Sequence, residues 1–325
     1  MSNTGRLRTK ATNFGKRMVF RANRALGNYR DVVWIVGDGR SGTTWVSDLV
    51  NHDGRFREMF EPLHPQLVKA ASFVQPHQYC RPGAMDDRLR DLMGSILSGG
   101  FCDPRVDFGN KALVYEGLLV KDIFANLMCY AACQAFPQVR PVLLIRNPFA
   151  VAASKYKKRD WFWGDEPMDL LNQPSLREDF LAPYEDLIRQ TSARGDFILN
   201  QVLIWAIVNY VPLQQFAPDD LHVCFYEQIY ADPEGEISRL FRFIRNGEDC
   251  HVKLDDDLIK RPSRVVKQET SFKAGSSPVT SWKNEIDPQR IDDGLRLLEA
   301  FGFDGLYNDA SMPDAGVLMR PAAVA

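Results

Sequence analysis

Val32-Val33-Trp34-Ile35-Val36-Gly37-Asp38-Gly39-Arg40-Ser41-Gly42-Thr43-Thr44-Trp45 is the stretch on which the fold turns. Its first five residues are β-branched or aromatic throughout and predict a short buried strand. A turn with three glycines follows, and an amphipathic run begins at Thr43. Strand, glycine-rich turn and helix in that order let backbone N–H groups converge where the first-turn donors of the helix lack partners, which makes a site for a phosphate or sulfate ester. The competing reading is a turn that merely connects a strand to a helix. Gly37 and Gly42 have the glycine spacing of the triphosphate loop G-x-x-x-x-G-K-[ST], but Thr43 stands in the place of its lysine. Arg40 puts a permanently charged, planar fork inside the loop instead.

Outward from the loop, the helix ends near Asn51-His52-Asp53-Gly54, and Arg57 to Glu61 reads as a second strand. Leu118 to Lys121 is a third strand, Ile123 to Phe136 a helix and Pro141 to Ile145 a fourth strand, the spacing of a right-handed crossover in a parallel sheet. Helices are expected over Asp86–Leu97, Pro148–Tyr156, Ile198–Val211, from Pro233 onward and over Ile291–Phe301, with a fifth strand at Leu221–Tyr226. Residues 64–110 and the segment Asp160–Phe197 have no clean period and read as excursions over the site; 262–284 reads as a polar loop. The expectation is an α/β fold: a parallel sheet of P-loop type flanked by helices, with helical and loop excursions as a cover.

The 325 residues are 45% hydrophobic and 25% charged, enough for one large α/β domain or two small ones. The expected organisation is a basic arm over 1–31, an α/β domain over 32–310 and a flexible tail over 311–325. The formal charge of -2 hides an asymmetry: residues 1–31 hold eight Lys/Arg against Asp31 alone, so the rest carries 32 minus 41, or -9. The arm has no apolar stretch of secretory type, and the longest apolar run, Val202 to Val208, is far short of a membrane span. Its composition fits a transit peptide, a helix on a membrane surface (Met18, Val19, Phe20, Ala22, Ala25 and Leu26 among arginines) or a solvated arm, of which the last is favoured. Six cysteines without a C-x-x-C pair point to a reducing, cytoplasmic compartment, and no metal site is expected.

In open parallel sheets ligands sit outside the carboxyl ends of the strands. There the first strand delivers the loop, the second Glu61, the third Lys121, the fourth Arg146 and the fifth Tyr226. Singly, each charge is an ordinary strand-end ion pair. Together, behind an anion loop, they describe a site.

GRSGTTW resembles the 5′-phosphosulfate loop of the sulfotransferases that use 3′-phosphoadenosine 5′-phosphosulfate, and Arg146-Asn147-Pro148 with Ser154 resembles their 3′-phosphate site. The resemblance implies that Arg40, Ser41, Gly42, Thr43 and Thr44 hold the phosphosulfate end, that Arg146 and Ser154 hold the 3′-phosphate and that Trp45 stacks on adenine. Phe225-Tyr226-Glu227 is similar to the family's strand-to-helix corner, placing Tyr226 near adenine. Thr270-Ser271-Phe272 and Trp282-Lys283-Asn284 are similar to its late nucleotide segments, which gives Phe272 a stacking role and Lys273 or Lys283 a 3′-phosphate role. Core aromatics and solvated lysines remain the alternative for these.

Cytosolic members of that family carry a histidine base two residues after the third strand's lysine, and here Ile123 occupies that position. Phe60-Glu61-Pro62-Leu63-His64 resembles the second-strand segment of carbohydrate 6-O-sulfotransferases, which implies Glu61 as general base, ahead of His52 and His64. The expected activity is sulfuryl transfer to a hydroxyl with Arg40 and Lys121 assisting and no metal. A sugar acceptor comes first, a lipid or small alcohol second and peptide tyrosine third. Trp161, Phe162 and Trp163 beside Asp160 and Asp165 are candidate sugar contacts. A P-loop kinase and a non-catalytic nucleotide-binding protein are the other readings of the loop.

Overall fold

The structure is a computed structural model that describes residues 3–159, 162, 164–261, 277–307 and 311–319. Its centre is β1 (Asp31–Gly37), which pairs in parallel with β3 (Gly117–Asp122) on one side and β4 (Val139–Ile145) on the other. β2 (Phe56–Phe60) lies outside β3 and β5 (His222–Phe225) outside β4, giving the parallel order β2-β3-β1-β4-β5. The strand order reverses between β1 and β4, the position where open α/β sheets bind ligands.

β1 is apolar on both faces because both are covered. Val32, Trp34 and Val36 enter one core, while Val33 and Ile35 enter the other. α2 (Thr43–Val50) and α7 (Pro233–Ile244) pack on the second face through Val46, Leu49, Ile237 and Leu240. The first face carries α3 (Asp87–Leu97), α4 (Cys129–Ala135), α5 (Pro148–Tyr156), α6 (Phe197–Gln215) and α8 (Pro288–Ala300). Each fully buried Val, Ile or Leu on these faces is worth about 1.5–3 kcal/mol, so the central strand is the least replaceable part of the sheet. α6 is long and apolar enough by composition to cross a membrane, but 78% of its apolar window is buried inside the protein. Asp196 caps it by accepting from the N–H groups of Ile198 and Leu199.

Three expectations need correction. The helix expected over 123–136 begins only at Cys129, after a 3₁₀ turn at Asn126–Met128, while Ile123 and Phe124 form a small apolar cluster of their own. Phe124 is held there by edge contacts with the rings of His64 and His77, tertiary partners that local periodicity cannot show. Tyr226 is not the last residue of β5 but the first of a short helix, Tyr226–Ala231. The basic N-terminal segment is α1 (Asn3–Ala25), docked on the body rather than free in solvent: Phe20 and Asn23 are both buried, Phe20 beneath the Arg57 guanidinium and Asn23 bonded to the backbone of Leu113 and Tyr115.

Candidate active site

The loop between β1 and α2 ends at Gly42, whose φ of 96° and contact with Tyr226 leave no room for a side chain; a Cβ there would lie 2.5 Å from the Tyr226 ring. Gly42 is the N-cap of α2 and no side chain caps this helix, so its first-turn N–H groups face the loop without a side-chain partner. α5 differs. There the Asn147 side chain accepts from the N–H groups of Phe149 and Ala150 and closes the helix end.

Arg40 (φ 72°) donates through Nε to Ser154 Oγ at 2.9 Å. Arg146 donates through Nη1 to the Arg40 carbonyl at 2.9 Å and through Nη2 to the Pro278 carbonyl at 2.8 Å, while its Nε is buried with no partner. Its guanidinium lies 4.4 Å from the Tyr226 ring centroid, and Tyr226 meets Trp45 edge-on at 5.4 Å. Trp205 fixes the strand end by donating to the Arg146 carbonyl, and Glu227 accepts from the Asn147 N–H. Burial, and then the neighbouring charge of Arg146, lowers the Arg40 pKa. Two guanidiniums are therefore held together without a carboxylate partner among the described residues, an arrangement that favours an anion between or upon them.

On the other side of β1, Glu61 sits one residue past β2, with its N–H donating to the Lys121 carbonyl at 2.7 Å. Lys121 Nζ donates to Glu61 Oε1 at 2.6 Å and Arg105 Nη2 to Oε2 at 2.9 Å. Burial alone would raise the Glu61 pKa, but Lys121 and Arg105 outweigh it and the net shift is downward, so the carboxylate is ionised at neutral pH. Lys121 also lies 4.4 Å from the Phe60 ring centroid. Behind the loop, Asp38 takes both carboxylate oxygens to Lys155 Nζ at 2.7 Å, and Lys155 donates as well to Gln201. Lys155 is buried and its pKa is lowered, with Asp38 opposing the effect of burial. This buried pair braces the loop.

His77 lies beside that pair, Nε2 3.9 Å from Asp38 Oδ1, with a buried Nδ1 that has no hydrogen-bond partner. Burial, opposed by Asp38 and aided by Lys155, pushes its pKa down to about 4, so the ring is neutral. The pKa of His64 is also lowered, first by burial, with Glu61 opposing the effect. Among the described non-glycine residues only Arg40, Glu61, His77 and Asn246 have positive φ, and the first three are at this site. Backbone held in that region costs of order 1 kcal/mol per residue and collects where function requires it.

The structure thus brings Arg40, Ser41, Gly42, Thr43, Thr44, Arg146, Ser154 and Tyr226 to one side of the sheet's carboxyl edge, and Glu61 and Lys121 to the other. Trp45 is mostly buried in α2, its indole N–H donating to the Ile259 carbonyl. Phe272, Lys273, Asp160, Trp161 and Trp163 lie outside the described residues. His52 is at the far end of α2, bonded to the Leu49 carbonyl. Sequence reasoning did not single out Arg105, His77 or Lys155. Lys155 had a visible signal, since a lysine directly after Ser154, four residues from Val151, falls on the apolar face of α5. Arg105 and His77 come from the excursion over 64–110 and had none. Among the described residues no group of three or more His, Cys, Asp or Glu could hold a metal ion.

The sequence model of the family described as "Sulfotransferase domain" matches residues 30–293. Similar solved structures include a sulfotransferase from Alicyclobacillus acidocaldarius, 15% identical with a TM-score of 0.43, covering 90% of this chain and 99% of that one. The sulfotransferase domain of the Synechococcus PCC 7002 olefin synthase is 14% identical with a TM-score of 0.43, covering 84% of this chain and 94% of that one. The sulfotransferase domain from the curacin biosynthetic pathway is 14% identical with a TM-score of 0.38, covering 71% and 78%. A comparison with curated proteins finds no match.

Proposed function

The chain belongs to the sulfotransferase family, and from that premise we propose that it moves the sulfuryl group of 3′-phosphoadenosine 5′-phosphosulfate to a hydroxyl, with Glu61 as the general base. The observation that carries this reading is the pair of guanidiniums, Arg40 and Arg146, held beside an uncapped helix N-terminus, Arg40 on the Ser154 hydroxyl and Arg146 on the Arg40 carbonyl, with no carboxylate bonded to either among the described residues. A nucleotide with a 5′-phosphosulfate and a 3′-phosphate supplies anions for both guanidiniums, and the buried, unpartnered Nε of Arg146 is a donor suited to the latter. That nucleotide brings the activated sulfuryl group and a phosphate leaving group.

The residues of the chain do the rest. Glu61, ionised at neutral pH, takes the proton of the acceptor hydroxyl as its oxygen bonds to sulfur and the sulfur–oxygen bond to the leaving phosphate breaks. Lys121 and Arg105 hold the carboxylate from two sides; each oxygen keeps a lone pair for the hydroxyl, since a carboxylate offers about four acceptor positions. Arg40 and the first N–H groups of α2 meet the charge that grows on the phosphate. No metal is assigned a role, because a single phosphate leaves and these cations already face it.

A carbohydrate hydroxyl is the acceptor we assign, from the resemblance of Phe60–His64 to carbohydrate enzymes and from the aromatic group beside Glu61. His64 and His77 flank Phe124, and Phe162 meets it edge-on at a centroid distance of 6.1 Å while remaining 40% exposed. Aromatic faces with a polar edge suit sugar rings. A lipid or small alcohol is the next acceptor to assay. Six free cysteines are compatible with a reducing, cytoplasmic setting.

Calorimetric titration with adenosine 3′,5′-bisphosphate, ATP and AMP, first without added metal and then with Mg²⁺, tests the assignment. The bisphosphate should bind tightest and lose its advantage in Arg146→Ala. A preference for ATP that requires Mg²⁺ would instead return the loop to the kinases.

A further inference from the structure

The docked helix α1 has two faces, and only one of them is used by the protein. Phe20 and Asn23 are each 2% exposed and hold the inner face. Directly opposite, Phe14, Met18, Ala22 and Ala25 follow one another at the spacing of a single helical stripe, and the chain continues into Leu26. Phe14 is 68% exposed, Met18 51% and Leu26 75%. The segment that fastens the helix is also apolar outside: Lys16 is anchored on the Asp107 carbonyl and Asn23 on the Leu113 carbonyl, while Leu113 and Val114 are exposed and Phe108, packed edge-on against Phe60, is exposed in part. Of the eleven large apolar side chains exposed among the described residues, these six are therefore gathered on one helix and its holding loop. Scattered exposed apolar residues need no explanation; a collected patch does.

Charge identifies what fits it. Residues 1–30 contain eight Lys/Arg and no Asp or Glu. Arg17, Arg21 and Arg24 are exposed along one flank of the stripe. An apolar stripe flanked by Arg17, Arg21 and Arg24, on a helix that itself carries no carboxylate, matches the boundary between acyl chains and anionic headgroups, where the stripe enters the hydrocarbon edge and the guanidiniums meet phosphate. We infer that α1 and the 107–114 segment form a surface that attaches the enzyme peripherally to an anionic membrane. This does not depend on the assignment of donor, acceptor or base.

The test is co-sedimentation of the full chain with vesicles of phosphatidylcholine, and of phosphatidylcholine containing roughly one-third phosphatidylserine, at about 0.1 M and about 0.5 M salt. Binding is expected to the anionic vesicles at the lower salt, with little to the neutral ones and a loss at the higher salt. Replacing Arg17, Arg21 and Arg24 by Gln should weaken binding about a hundredfold. The triple change Phe14→Ser, Met18→Ser and Leu26→Ser should abolish it with the melting temperature unchanged, because none of these side chains is buried. Equal binding of the stripe variant and the parent, or no binding to anionic vesicles, overturns the inference. So does a vesicle-independent dimer in sedimentation velocity that the stripe variant loses, which would assign the face to a second copy of the chain.

Discussion

The two sides of the site solve the problem of buried charge in opposite ways. Beside β4 and the loop, Arg40 and Arg146 are placed together with only neutral acceptors, and burial plus mutual repulsion lowers the Arg40 pKa. Beside β2 and β3, two cations close on a carboxylate that the chain supplies itself. On the first side no described carboxylate neutralises the cations, and in the proposed reaction the donor anion does so; the second side supplies its own counter-ion, which the proposed acceptor has to reach. A binding region gains affinity by leaving charge unsatisfied, whereas a proton-accepting region needs its carboxylate held ionised and in place before substrate comes.

The sharpest way to break this comparison is Glu61→Gln. Loss of a general base costs 10²- to 10⁴-fold in turnover, and the bisphosphate should still bind with parental affinity because the phosphate side is untouched. Normal turnover of this variant in a sulfuryl-transfer assay would remove Glu61 from its role. Next in size is Lys121→Met, which leaves Glu61 buried with Arg105 as its one cation and should cost about 3 kcal/mol of stability by denaturant titration. Arg40→Gln, by contrast, should leave the ligand-free protein at least as stable as the parent, since it removes a desolvated charge facing another of the same sign. Similar losses in both variants would show that the two sides do not differ.

Arg146→Ala should weaken bisphosphate binding by about 10- to 100-fold, the range for one lost hydrogen-bonded charge. The smallest effect concerns His77. Its folded pKa of about 4 lies below the unfolded value of 6.5, so the unfolded chain binds more protons between those values and stability falls as pH drops from 6.5 toward 4. The parent should lose up to about 2 kcal/mol between pH 7 and 5 through this group, and His77→Asn should flatten that part of the curve. Asn is the suitable replacement because it tolerates the φ of 52° at this position. An unchanged slope in thermal melts across this range would mean that the ring is not buried neutral.

The order strand, anion loop, helix was legible because each part has a local signature: β-branched residues at Val32–Val36, glycines where only glycine fits, an apolar face from Trp45 to Val50. The strand ends that carry Glu61, Lys121 and Arg146 were legible for the same reason. Burial on both faces makes a parallel strand a continuous apolar run, and a charge marks where it stops. By itself the sequence therefore determined the fold class, the glycine-rich loop between the first strand and its helix and the charges delivered to one edge of the sheet.

Only the tertiary structure decided how those charges are partnered. Arg105 reaches Glu61 across 44 residues and Lys155 reaches Asp38 across 117, distances at which no periodicity links one residue to the other. The helix expected from Ile123 was delayed because Phe124 found two histidine rings, and the N-terminal arm became a docked helix because Phe20 found Arg57. Local pattern reports what each segment can bury or expose; which ion meets which counter-ion follows from packing the segments together, and at this site that pairing separates the side that waits for an anion from the side that already holds one.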